Sequence, residues 1–118
     1  MKRDMELVRD VLKAIEEFPF DGGFHEINIE GRSESEISYH VMILHKAGLI
    51  EAIDLSTHDG MCWKAKTLSY HGHEFLDAAR SDTVWAKAKA MLLNSTGTLT
   101  LEALKQALPL AMKGLLPG

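Results

Sequence analysis

The chain has 118 residues, 46% of them hydrophobic and 25% charged, with a formal net charge of −4. That is one domain's length with enough apolar material for a core, which excludes wholesale disorder and a disulfide scaffold. The acidic balance is a poor footprint for a nucleic-acid binder, no apolar run approaches the ~20 residues of a membrane span, and a single cysteine, Cys62, fits a reducing cytoplasm.

The first predicted element is a helix. Met5, Val8, Val11, Leu12, Ile15 and Phe18 recur at three- and four-residue steps, with Glu6, Arg9, Asp10, Lys13 and Glu17 on the other side. Pro19 ends it, because the residue before proline is pushed out of the α region. After the loop Asp21-Gly22-Gly23, residues 24–30 alternate, with Ile27 and Ile29 against Glu26, Asn28 and Glu30, and predict a short strand.

Ser33-Glu34-Ser35-Glu36 is a capping box, so a second helix runs to about Ala47, with Ile37, Val41 and Leu44 as its core stripe. His40 lies on the margin and is expected to be a packed histidine with a backbone partner. Gly48 supplies the left-handed stop. Leu49–Leu55 and Met61–Leu68 predict a hairpin with its turn at His58-Asp59-Gly60. On its return strand Trp63, Ala65 and Thr67 face one way, Lys64 and Lys66 the other.

Three helices follow. Ser69 caps one to about Arg80, Ser81 or Asp82 caps a second to about Asn94, and Thr98 or Thr100 caps a third. Pro109 predicts a kink or a fresh start in the last, since proline in a helix interior removes a ladder bond.

Helix, strand, capped helix and hairpin is the order of a winged helix, although its usual middle helix is not evident between Glu30 and Ser33. The expected fold is therefore α+β, with a winged-helix-like core over residues 1–68 and a helical extension over residues 69–118. The opening Met1-Lys2-Arg3-Asp4-Met5-Glu6-Leu7-Val8-Arg9 resembles the family known as domain of unknown function 2513. So do Tyr39-His40, Ala47-Gly48-Leu49-Ile50, Gly72-His73-Glu74-Phe75-Leu76-Asp77 and Asp82-Thr83-Val84-Trp85. The resemblance covers essentially the whole chain, with Pro109 as a departure. It implies a small bacterial protein of phage or mobile-element type and lends no activity, substrate or catalytic residue.

By 100° steps from the core stripe, the outward face of the capped helix carries Ser35, Ser38, Tyr39, Met42 and Lys46. Serine, tyrosine and lysine are types that touch phosphates and base edges, but Glu34 and Glu36 sit at the helix end that would enter a groove. Lys64 and Lys66 are the hairpin's candidate contacts, and they equally serve to guard an edge strand. The contact set is thus read as a surface for a protein partner, with weak DNA binding as the alternative. No catalytic constellation is present, so a non-enzyme without small-molecule substrate or cofactor is expected. No metal is expected either: His71 and His73 diverge on a helix, and no paired cysteine motif exists. Near the C-terminus, Leu99, Leu101, Leu104, Leu108, Leu110, Met112, Leu115 and Leu116 form an apolar surplus. It either packs within the chain or forms a homodimer seam through Trp85, Leu104, Leu108 and Met112.

Overall fold

The computed structural model describes residues 1–114; Leu115 and Leu116 of the apolar surplus lie outside them. Among the described residues the chain forms five helices and a two-stranded antiparallel hairpin, an α+β arrangement. The chain divides into two units, one spanning Met1–His73 and a second beginning at Glu74.

In the first unit α1 spans Met5–Glu16. Asp4 caps it, its Oδ1 accepting from the amides of Glu6 and Leu7 at 3.0 and 3.3 Å. Of the predicted stripe, Met5, Val8, Val11, Leu12 and Ile15 are buried, together with Leu7, while Phe18 lies beyond the helix and is half-buried. The helix stops before Phe18, with Glu17 and Phe18 donating three residues back to Ala14 and Ile15. Pro19 dictates this tightening, because Phe18 cannot continue the α geometry.

The predicted strand over residues 24–30 does not form. It reduces to one antiparallel bridge, His25 to Ala65, with backbone bonds of 2.7 and 3.0 Å. The alternation did locate the buried Ile27. The ladder ends because the next amide along, Trp63 N–H, already donates to Ser38 Oγ at 3.1 Å. No helix forms between Glu16 and Glu34.

The second helix, α2, spans Glu34–Lys46 and has both halves of the capping box. Its C-terminus closes as predicted: Gly48 takes φ 78°, Gly48 N–H donates to His45 O, and Leu49 N–H donates to Leu44 O. This satisfies two of the terminal carbonyls and buries Leu49 completely.

The hairpin consists of β1 (Ile50–Asp54) and β2 (Trp63–Leu68), closed by the Thr57–Gly60 turn. Its register shifts between Glu51 and Ala52, where Glu51 pairs with Thr67 but Ala52 with Ala65. Lys66 is the extra residue of a bulge. A bulge changes the phase of the side chains, so Leu68 rather than Thr67 joins Ala65 on the buried face. The expected grouping of Thr67 with Trp63 and Ala65 is corrected accordingly.

Helix α3, Tyr70–Ala79, begins in the first unit. Ser69 Oγ accepts from Gly72 N–H at 3.0 Å and donates to Gly48 O at 2.6 Å, tying the start of α3 to the end of α2. Gly72 lies so close to the Leu49 carbonyl that an added Cβ would overlap it.

In the second unit Phe75 of α3 meets Trp85 edge to face, with ring centroids 6.5 Å apart. Trp85 belongs to α4, Asp82–Ser95, capped by Ser81; α5, Leu101–Lys113, is capped by Thr100. The two helices pack on each other. Trp85, Leu104 and Leu108 are 2%, 0% and 1% exposed, so the proposed dimer seam through them is corrected. Each helix needs the other's stripe to bury its own, and Met112, half-buried, alone retains surface. No fresh start occurs at Pro109: α5 is continuous, and the proline sits on its exposed side, where one missing N–H is tolerated.

Candidate interaction surface

Of the five candidate residues on α2, four form one stripe. Ser35, Tyr39, Met42 and Lys46 follow steps of four, three and four, which place them on one helical face. Ser35 and Lys46 are exposed, while Tyr39 and Met42 are half-buried. Ser38 does not belong with them. It is 3% exposed, and its hydroxyl serves the Trp63 amide. Three residues after Tyr39 comes Met42, and three after that His45, whose ring lies 5.5 Å from that of Trp63. Ser38 and His45 thus mark the side of α2 that faces β2, and the stripe begins just beyond it.

A clasp between the first turns of α1 and α2 fixes the helix that carries the stripe. Asp4 N–H donates to His40 Nε2 at 2.9 Å, so the ring proton is on Nδ1, which donates to Glu36 O at 2.7 Å. His40 is 1% exposed and has the backbone partner expected of a packed histidine. Arg32 spans the same ends, 2.8 Å from Asp4 and 3.4 Å from Glu36. Burial pushes the Asp4 carboxyl up, but the Arg32 hydrogen bond and the amides of Leu7 and Glu6 outweigh it and hold the group below its ordinary value. For Glu36, the Ser33 amide leads in lowering the carboxyl, with the Ser33 hydroxyl and Arg32 adding to it against a smaller effect of burial. Both carboxylates therefore stay charged beside the α2 N-terminus, and Arg32 is committed to them.

The hairpin lysines are elsewhere. The buried residues Ile50, Ala65 and Leu68 mark the inner face of the hairpin, against which α2 packs. Lys64 pairs with Ile53, the next position along β1 from Ala52, and so faces the other way. The bulge keeps Lys66 on that outer face, its Nζ 5.7 Å from the centroid of Phe24. The structure therefore brings Ser35, Tyr39, Met42 and Lys46 together but does not join them to Lys64 and Lys66 in one positive strip.

Three residues that the sequence reading left unassigned also lie on the outer face or at its margin. Phe24, Ile53 and Leu55 are 38%, 38% and 44% exposed. The spacing of Ile53 and Leu55 signalled this, since β1 also places Ile50 inward and parity then sends 53 and 55 out. Among the described residues no group of three or more His, Cys, Asp or Glu is placed to hold a metal ion, and Cys62 is a free, half-buried thiol. No helix in them is long and apolar enough to cross a membrane.

Comparison with known proteins gives the chain its family. The family described as "Hypothetical protein (DUF2513)" matches over residues 2–98. An uncharacterized protein of Haemophilus influenzae is 38% identical over 107 residues, covering 90% of this chain and 91% of its relative. No solved structure matches. The chain belongs to the DUF2513 family.

Proposed function

We propose that this member of the DUF2513 family is a non-catalytic protein-interaction adaptor of phage or mobile-element type, built on a winged-helix-like scaffold. The element order supports the scaffold: helix, extended segment, capped helix, hairpin. So does the His25–Ala65 bridge, which lays the segment before α2 along the second hairpin strand. The missing helix between α1 and α2 departs from that pattern.

One observation carries the functional reading. The presented face of α2 offers Tyr39 and Met42 between a serine and a single cation, Lys46, while the opposite end of the helix holds the charged carboxylates Glu34 and Glu36. Aromatic and methionine side chains are what protein interfaces enrich, whereas phosphate contact needs several cations aimed one way. Arg32, just before the α2 N-terminus, is held by Asp4 and Glu36, and the hairpin lysines face away.

Fluorescence anisotropy with a labelled mixed-sequence DNA duplex tests this. No saturable binding is expected up to about 100 µM protein at about 50 mM salt. Saturation in the low micromolar range, lost steeply as salt rises, would favour the nucleic-acid reading instead.

A further inference from the structure

The outer face of the hairpin is separate from the α2 stripe and is unusual for a solvated sheet face. Antiparallel sheets that show one face to water normally make it polar. This one exposes Ile53 and Leu55, with Phe24 at its margin. Interleaved with them are Lys64 and Lys66 on β2 and Glu51 on β1. None of these three charged residues has a carboxylate or ammonium partner among the described residues. By contrast, Arg32, Arg80 and Lys105 each have one.

We propose that a second copy of this chain covers this face, giving a symmetric dimer. Charge complementarity, set by the strand register, favours this occupant. A two-fold axis running along the strands between β1 and β2 superposes the β2 column of one copy on the β1 column of the other. Lys66 then meets Glu51 of the second copy, because both lie at the bulge. Lys64 lies over Ile53 of the second copy, its stem on apolar surface, and Cys62 over Leu55. No charge faces its like. An axis passing through β2 itself would stack Lys64 on Lys64 and is excluded by repulsion. A uniformly acidic partner or a nucleic acid would match the lysines but meet Glu51 as a like charge; a second copy satisfies both signs.

The face is small, with strands of five and six residues. The dimer is therefore weak, below the ordinary ~1,200–2,000 Å² of a stable interface, and forms in the micromolar range or above. It differs from the seam corrected above, since its residues are on the surface of one chain rather than in its core.

Sedimentation velocity of the full chain over a concentration series tests the proposal. Wild type is expected to shift from monomer to dimer with concentration. Lys66→Glu should raise the dissociation constant about tenfold by setting two carboxylate pairs against each other. The exchange Glu51→Lys with Lys66→Glu should restore it. Ile53→Asp should leave a monomer with unchanged circular dichroism; should that variant unfold, the Lys66 series decides the question alone. Wild type monomeric at every concentration would overturn the proposal. So would a dimer indifferent to Lys66→Glu, or one that the charge exchange fails to restore.

Discussion

Ser38 shows how much one hydroxyl can settle. Its Oγ takes the Trp63 amide that would otherwise extend the bridge at His25 into a ladder. One contact thereby limits a strand and fixes α2 against the hairpin. Ser38→Ala removes the acceptor of this part-buried amide, which costs about 0.5–1.5 kcal/mol. Urea unfolding followed by circular dichroism should show the midpoint fall with an unchanged slope; an unchanged midpoint would mean the bond adds nothing. The sequence could not reveal this role. A serine at the margin of a helical stripe reads as solvent-facing, and the amide it serves is 25 residues away. His40 was more legible: its position beside Ile37 and Leu44 implied burial, and a buried imidazole needs partners.

At the scale of elements, the clasp between α1 and α2 has a pH signature. Asp4 is held below its ordinary carboxyl value in the folded chain, so near and below pH 4 the unfolded chain binds more protons than the folded one. The stabilisation is complete above about pH 4 and is lost as pH falls through the folded value. Asp4→Asn keeps a capping side chain but removes the charge. Its stability should therefore fall less than that of wild type below about pH 4. Parallel acid limbs in the two proteins, measured by thermal melting, would count against the clasp.

Local signals read well along the chain because their physics is local. The capping box at Ser33, the caps at Ser81 and Thr100 and the Gly48 stop each involve groups within a few residues of one another. The strand over residues 24–30 and the facing of Thr67 failed for the opposite reason. Alternation states which side chains share a face, but whether a ladder forms depends on a distant partner, and a bulge at Lys66 has no local mark. Of the kink or fresh start expected at Pro109, the fresh start does not occur: α5 runs through the proline, which lies on its exposed side.

At the scale of the whole molecule, the α2 stripe was legible almost completely, since helical spacing alone groups Ser35, Tyr39, Met42 and Lys46. What periodicity could not show was that the hairpin lysines face away from it, or that Trp85, Leu104 and Leu108 are consumed by packing between α4 and α5. Both corrections have the same consequence. On the proposed readings, the α2 stripe, with one cation and two large apolar-bodied side chains, serves a protein partner, and the hairpin's outer face serves a second copy.

The central claim, that the α2 stripe meets a protein, is tested most directly by site-specific photo-cross-linking in the native host. A benzophenone amino acid replaces Ser35 in one strain and Ala90, an exposed position on α4, in another. One discrete protein adduct is expected at Ser35, none at Ala90, and the adduct is lost when Met42→Asp is added to a chain that remains folded. Equal adducts at both positions, an adduct unaffected by Met42→Asp, or cross-linking to nucleic acid alone would contradict it.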